Sequence, residues 1–451
     1  MSTAELDISR FFSREGTEAM ARESSFVQRT SPITGFKFLL TFTAGLLNTP
    51  EGTLAQLAAF LSAACGTDVS PQALDDRLDG LAAEFMRRCL EKALSMSARP
   101  LEHGDGALAG FDHVYVIDST NFSLHPSLSG TFKGSGGSAS SASMRIQLVI
   151  DYLEGTVHLE IGDSRLSDTK TLLGIVGERR LDVSGRTLFL SDLGYFKAET
   201  FAGMAEGGQY FLSKLMFGMK LCDGAGEVLG LGRLLRSGQD IDMPVKMGPL
   251  TCRLVGKRLP EHIVNQRIRK ANEVSERSGG ITDEYRLFLG YALCITNLPE
   301  EYDEKSLFLL YRIRWRVELV FKTWKSILRM HVIRSARPGR VMCEVYGKLI
   351  LAALSSNFCA AADSRIAARQ THPYADGPAV VSLHRAMRHI MAVAFQWATA
   401  IMAGTRRHAE FISSLSRNIA RLCLKRGQKD KPTIEQLLAG APLKKVKSKG
   451  N

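Results

Sequence analysis

Between Asp303 and Met330 the chain runs through DEKSLFLLYRIRWRVELVFKTWKSILRM without a glycine or a proline. Strong helix formers opening on acidic residues predict one long helix here. At about 100° per residue, Leu310, Ile313, Val317, Phe321, Trp324 and Leu328 fall on a single stripe that has to pack against something large. Beside that stripe, Tyr311, Arg314, Lys322 and Lys325 all project within roughly 40° of Glu318. In an ordinary solvated helix Glu318 would pair with Arg314 and Lys322 for a few tenths of a kcal/mol each. The neighbouring apolar stripe suggests more: it sets Glu318 at the rim of the core, where a sheet can bring other carboxylates and where cations can meet phosphate.

The rest of the chain supplies candidates for that sheet. His113-Val-Tyr-Val-Ile-Asp118 is a β-branched and aromatic run followed by Ser119-Thr120-Asn121, and it predicts a buried strand that emerges at Asp118. Gly134–Ser143 reads as a flexible loop, and Arg145–Tyr152 and Thr156–Gly162 as two strands joined by a tight turn. A helical patch follows at Asp168–Arg179. Thr187-Leu-Phe-Leu-Ser-Asp192 is then a second apolar strand with a terminal aspartate, followed by a helix at Lys197–Ala205 and a strand at Gln209–Leu215. This order of strands and helices predicts an α/β, ribonuclease H-like core in which Asp118, Asp192 and Glu318 converge. Three unneutralised carboxylates repel one another and call for divalent cations. Oxygen ligands of this kind suit Mg²⁺, with Mn²⁺ as a substitute.

Charge and composition narrow the partner. Lysine and arginine number 58 against 46 acids, a formal charge of +12 that favours a polyanion such as nucleic acid. The eight cysteines form no Cys-x-x-Cys pair, so neither a zinc site nor a disulfide framework is signalled, which fits a reducing cytosol. Without a cationic-then-apolar leader, and with uncharged runs such as Ile390–Gly404 shorter than a membrane span, the expectation is a cytoplasmic protein with no membrane partner.

Tyr311, Arg314, Glu318 and Lys325 reproduce the Tyr-x2-Arg-x3-Glu-x6-Lys signature of the bacterial cut-and-paste transposases of the insertion-sequence-four group, which the chain resembles over roughly residues 20–340. Asp192-Leu-Gly-Tyr195-Phe is similar to the second-aspartate block of that family, with Leu193 in place of the common arginine. Thr296-Asn297-Leu is similar to the block before the signature helix, and Asp118 with its following Ser-Thr to the first-aspartate block. The resemblance implies a DDE transposase whose Asp118, Asp192 and Glu318 bind Mg²⁺, cut DNA at the terminal repeats of its own mobile element, and join those ends to target DNA, two copies holding the two ends. It also implies that Tyr311, Arg314 and Lys325 contact phosphate near the cleaved end. A strand-rich insertion is expected as well, in which Tyr285 or Tyr291 would stack a displaced base.

The expected organisation is a helical DNA-binding domain over 1–105, core over 106–215, the β-rich insertion over 216–299, core again with the signature helix over 300–340, a helical region over 341–424 and a basic tail over 425–451. Within the first domain, Thr53–Leu61 and Ser70–Leu90 have the spacing of a helix-turn-helix, the second helix bearing Gln72, Asp76, Arg77, Arg87 and Arg88. The insertion carries runs at Val228–Leu235, Met243–Met247, Cys252–Leu259 and Tyr285–Ile295 that read as strands, and Lys257, Arg258, Arg267, Arg269 and Lys270 as cations able to track a DNA backbone. Lys322 joins them from the signature helix. Val341–Ala362, Val380–Met402 and His408–Leu424 read as helices; His384 and His389 lack metal-ligand spacing. Two other classes share these features: a metal-dependent nuclease or resolvase that cuts without joining, and a non-catalytic DNA-binding relative.

Overall fold

The computed structural model describes residues 1–96, 107–136, 141–165, 181–275, 280–368 and 381–425. The helical patch expected at Asp168–Arg179, the stretch His372–Pro378 and the tail beyond Lys425 lie outside these residues.

Alternating side chains along two strands decide how the layers assemble. In β1 (His113–Ser123), Val114 and Val116 face a large helical layer, whereas Tyr115 and Ile117 face the opposite side of the sheet. In β4 (Thr187–Ser191), Leu188 and Leu190 take the first side and Phe189 the second. His113–Ile117 of β1 and the whole of β4 are buried, which is why these stretches are largely apolar.

With β2 (Ser143–Asp151), β3 (Val157–Asp163), β5 (Tyr210–Lys214), β6 (Ile241–Met247), β7 (Leu250–Arg258) and β8 (Tyr291–Thr296), they form one eight-stranded sheet in the order β3-β2-β1-β4-β5-β8-β7-β6. The first three strands are antiparallel neighbours, β4 and β5 run parallel to β1, and β8 pairs antiparallel with β5. Strands from the expected insertion over 216–299 therefore prolong the same sheet. That region is also less β-rich than its sequence suggests. Leu231–Arg236 is a helix where a strand was expected, and Tyr285–Ile295 divides into a helix, Asp283–Leu289, and β8. Arg267, Arg269 and Lys270 lie on a further helix, Glu261–Ser275. Short apolar runs do not separate strand from helix by periodicity alone.

On one face of the sheet lies the signature helix, Glu304–Ser326; beyond it stands a helical assembly built round Pro338–Ala367. The helices Thr3–Phe11 and Gly80–Ser95 from the N-terminal part and Thr405–Leu422 from the C-terminal part all pack on Pro338–Ala367, so the two helical segments share one core. By length and composition Pro338–Ala367 is apolar enough to cross a membrane, yet 78% of its most apolar window is buried inside the protein. Some expected helices are interrupted. Ser70–Leu90 breaks into Pro71–Asp75 and Gly80–Ser95, because the Asp79 carboxylate accepts the Ala82 N–H at 2.9 Å and starts a new helix. Val380–Met402 becomes Leu383–Ala392 and Ala394–Met402, divided at Val393.

One buried ion pair ties the first helix to the central helix Pro338–Ala367 and to Thr405–Leu422. Glu5 is fully buried, and its carboxylate accepts from Arg365 Nε at 2.9 Å and Nη2 at 2.7 Å, while Arg365 Nη2 also donates to Ser413 Oγ at 2.8 Å. Burial pushes the Glu5 pKa up, but the Arg365 hydrogen bonds and the Ser2 N–H outweigh it and hold the carboxyl below the usual range. Arg365→Leu strands this carboxylate and is expected to destabilise the protein by roughly 3–5 kcal/mol in denaturant titrations; Glu5→Leu/Arg365→Leu should recover much of that loss. A double variant as unstable as the single one would show that the pair is not the source.

Candidate active site

The signature helix is fixed before it reaches the acids. The Asp303 side chain accepts the Ser306 N–H at 2.8 Å as N-cap. Arg253 on β7 holds the approach loop: its guanidinium forks onto Asp242, with both contacts at 2.6 Å, and donates to the carbonyls of Pro299 and Tyr302 at 3.1 and 3.0 Å. Asn297 accepts from Phe211 N–H at 2.8 Å and donates to the Gln209 carbonyl at 2.9 Å, so its amide continues the β5–β8 pairing past the end of β8. Thus locked, the helix lays Leu307, Leu310, Ile313, Val317, Phe321 and Trp324 onto the core, with Leu328 in the turn that follows completing the buried stripe. It ends at a turn where Arg329 takes φ 50° and Met330 N–H reaches the Trp324 carbonyl at 3.2 Å.

Asp118, Asp192 and Glu318 converge, and they do so on Arg314. Arg314 Nη1 lies 3.3 Å from Asp118 Oδ2 and 3.8 Å from Asp192 Oδ2, and Nη2 donates directly to Glu318 Oε1. Strand register explains the two aspartates: Val116 pairs with Leu190, so two residues further on Asp118 and Asp192 stand level on the signature-helix face. Asp118 lies within β1 rather than at its exit, because β1 continues against β2 as far as Ser123, whereas β4 stops at Ser191. The gap past the end of β4 opens Asp118 to one side.

Exposure separates the roles of these groups. The Arg314 side chain is 5% exposed, whereas Asp192 and Glu318 are 39% and 31% exposed, so the guanidinium forms the floor and the carboxylates the accessible rim. Three carboxylates against one guanidinium leave a net charge of −2. Burial, reinforced by Asp192 and Glu318, raises the Asp118 pKa to about 6 although Ser119 N–H and Arg314 act to lower it. This oxygen-only donor set with two negative charges left over fits divalent cations of the Mg²⁺ or Mn²⁺ kind.

The Asp118 shift has a checkable consequence. Its folded pKa stands above the unfolded value of about 3.9, so ionisation penalises the metal-free fold; the penalty is absent below about pH 4 and complete above about pH 6. Asp118→Asn is therefore expected to be more stable than the parent by roughly 2 kcal/mol at pH 7 in chelator, and no more stable at pH 4. Equal stability of the two proteins at pH 7 would contradict this.

The other signature residues are placed as follows. Tyr311 is buried and its hydroxyl donates to the Ser191 carbonyl at 3.4 Å, bracing the residue before Asp192; burial raises its pKa. Lys214 Nζ lies 5.5 Å from the Tyr311 ring centroid. Lys322 is exposed with its ammonium 5.8 Å from the Trp315 ring, and Lys325 is half-buried. Leu193 is 39% exposed beside Asp192. Trp315 and Leu319 are more than half exposed on the same helix and did not figure among the sequence candidates. Their signal was available, since both are large apolar residues off the buried stripe.

More distant candidates have other partners. Lys257 pairs with Glu304 in the first turn of the signature helix, fourteen residues or about 21 Å along the axis from Glu318. Arg258 is exposed at the end of β7, its backbone N–H bonded to Asp240 at 2.9 Å. Arg267 donates to the Tyr291 carbonyl at 2.9 Å and is half-buried. Tyr291 is itself buried with its hydroxyl on the Leu235 carbonyl at 3.1 Å, so its ring has no open face for a base. Tyr285 packs with Phe217 and Phe288, the Phe217 centroid 4.7 Å away. In the N-terminal helices Arg87 and Arg88 both pair with Glu84, and Arg77 donates to the Phe26 carbonyl.

A second group of ligand-type residues, His113, Asp151 and Glu154, lies within 4.8 Å at the opposite end of β1. Asp151 is fully buried, with Oδ2 2.7 Å from His113 Nδ1 and Oδ1 accepting the Leu153 and Glu154 N–H groups at 3.0 and 3.3 Å. These contacts anchor the β2–β3 turn.

Residues 109–354 match the family described as "Transposase DDE domain". The chain is 28% identical over 362 residues to the transposase for insertion sequence element IS231B of Bacillus thuringiensis subsp. berliner, covering 74% of each protein. It is 28% identical over 364 residues to the transposase for IS1151 of Clostridium perfringens, covering 75% of this chain and 76% of that one. A shorter match, 28% identity over 139 residues, joins it to the putative transposase InsL of IS186A of Escherichia coli K12. The matched span contains Asp118, Asp192 and Glu318 together with the elements that position them, and the chain belongs to the DDE transposase family of bacterial insertion sequences.

Proposed function

We propose that Asp118, Asp192 and Glu318 are the metal-binding catalytic acids of this transposase, acting at the terminal repeats of its own insertion sequence and then on target DNA. The observation that carries this reading is the convergence of three carboxylates, from β1, from the end of β4 and from the signature helix, on the single guanidinium of Arg314. Strand order and direction support a ribonuclease H-like core. Divalent cations held by these acids would activate a water or a 3′-hydroxyl and stabilise the leaving oxygen of an in-line phosphodiester displacement. The chain's own residues orient the substrate. Lys322, Lys325 and Lys214 supply phosphate-binding charge round the rim, Arg314 keeps the carboxylates together, and Trp315 offers an exposed ring on which a base at the cleaved end can stack. Two element ends call for two copies of the chain, working in the bacterial cytoplasm.

The test is a combined cleavage and strand-transfer assay on a DNA carrying the element ends, with Mg²⁺ or Mn²⁺. Cleaved ends joined to a target plasmid are the expected products. Cleavage without joining would favour a nuclease, and binding without either product a non-catalytic relative. Trp315→Ala is expected to lower the cleavage rate roughly tenfold or more, with duplex affinity little changed; an unchanged rate would remove Trp315 from the site.

A further inference from the structure

The positive charge of this protein is concentrated at one end. Residues 381–451 hold 14 of the 58 lysines and arginines but only three of the 46 acids, a net +11. The preceding 380 residues are left with +1. Half of that terminal charge lies on described structure. Helices Leu383–Ala392 and Thr405–Leu422 carry Arg385, Arg388, Arg406, Arg407, Arg417 and Arg421, every one exposed, against a single acid, Glu410.

These helices are amphipathic, and their apolar faces are already occupied. Ala386, Met387 and Ile390 on one, and Ile412, Leu415 and Ile419 on the other, are buried in the common core. A basic amphipathic helix that lies on a membrane must have its apolar face free to enter the lipid. Here that face is consumed, and what remains is a rigid cationic surface. Arg406, Arg417 and Arg421 share one side of their helix with Glu410, and from Arg406 to Arg421 the surface runs about 22 Å, over which one DNA strand presents roughly six phosphates. Glu410 is engaged by Arg406 at 3.1 Å and Arg407 at 3.8 Å, near the beginning of that run. At its far end Arg385 donates to the Leu424 carbonyl at 2.7 Å, which joins the start of helix Leu383–Ala392 to the segment that follows Arg421. Helix Leu383–Ala392 also packs beside the signature helix, so the surface adjoins the element that carries Glu318.

We propose that the outward face of these two helices is a track for the backbone of duplex DNA outside the terminal repeats, holding flanking or target DNA by charge alone. The proposal rests on DNA being the substrate, but not on the identity of the catalytic acids. A track of exposed arginines that contacts phosphates carries no base readout, so the binding expected is independent of sequence and steeply dependent on salt.

The experiment measures the affinity of the full chain for a 30-base-pair duplex without repeat sequence, in EDTA, at several salt concentrations. Three proteins are compared: the parent, the quadruple variant Arg385→Gln/Arg388→Gln/Arg417→Gln/Arg421→Gln, and a charge-matched tail variant, Lys444→Gln/Lys445→Gln/Lys447→Gln/Lys449→Gln. The helix variant is expected to bind at least about tenfold more weakly near 100 mM salt, with the slope of log affinity against log salt smaller by about two or more. The tail variant should lose less on both counts. A helix variant with parental affinity and slope, or a loss confined to the tail variant, overturns the track. Because all four arginines are exposed, circular dichroism is expected to show an unchanged fold. Reading the binding without metal keeps the result separate from cleavage: a parent protein that fails to cut DNA would sink the catalytic assignment and leave this comparison standing.

Discussion

Glu318→Gln is expected to reduce cleavage at the element ends by roughly a thousandfold or more while duplex affinity in EDTA stays within a factor of about three. The amide is isosteric and can still accept from Arg314, so the fold has little reason to change. What disappears is one of the three negative charges round Arg314, taking the net charge of the cluster from −2 to −1. A site with half its surplus charge binds divalent cations weakly and holds them in altered positions, and phosphodiester displacement depends on their placement. The same logic extends to Asp118→Asn and Asp192→Asn, with one difference. Asp118 is the most buried of the three, with a pKa raised first by burial and then by its carboxylate neighbours, so removing its charge should also relieve that penalty, and the inactive variant should be the more stable protein. A Glu318→Gln protein that cuts at more than about a tenth of the parental rate would exclude Glu318 as a metal-binding acid.

The second large effect lies far from the chemistry. Gly347→Ala is expected to destabilise the protein by more than about 3 kcal/mol and to leave little soluble product. At Gly347 the central helix Pro338–Ala367 packs directly against the backbone of the N-terminal helical run. A Cβ there would stand 1.9 Å from the Phe42 carbonyl oxygen and 3.2 Å from Leu46 Cδ1. Phe42 belongs to the π-helical turn Thr41–Gly45, and its backbone cannot move aside as a flexible side chain could. Because this contact sits in the core shared by the N-terminal and C-terminal helices, the damage should spread to both. Gly203→Ala is the comparison: a Cβ at Gly203 meets nothing within 4 Å in the helix Ala198–Glu206, so a gain of roughly 0.5–1 kcal/mol is expected. Similar melting temperatures for the two variants would show that the crossing is looser than its geometry implies.

How much of this was legible in the sequence depended on whether the signal was local. The buried stripe from Leu310 to Leu328 and the face shared by Arg314 and Glu318 follow from helical periodicity alone, and the structure has both. The apolar runs that became β1, β2, β3, β4 and β5 were equally readable. Asp118 was found, but its place inside β1 was not, since that depends on β2 outlasting β4 as a partner. The breaks at Asp79 and Val393 are not legible in the apolar pattern, because a side-chain cap at the first and a local change of backbone at the second override it. Cations were the least legible feature. The pairing of Arg87 and Arg88 with Glu84 is a same-helix spacing of three and four residues that the sequence already contains. Arg77 and Arg267, by contrast, look free in a sequence, yet each is spent on a backbone carbonyl that only the fold supplies. Tyr291 looked available for stacking for the same reason. Trp315 belongs to neither the buried stripe nor the charged line, and periodicity alone gives an apolar residue in that position no partner.

The most direct test of the central claim is anomalous scattering from Mn²⁺ in crystals of the parent protein, grown with a DNA element end. Mn²⁺ peaks bridged by the carboxylates of Asp118, Asp192 and Glu318, and lost in the Asp118→Asn protein, are the predicted result. Mn²⁺ bound instead at His113, Asp151 and Glu154, with the three acids still closed on Arg314, would contradict the account.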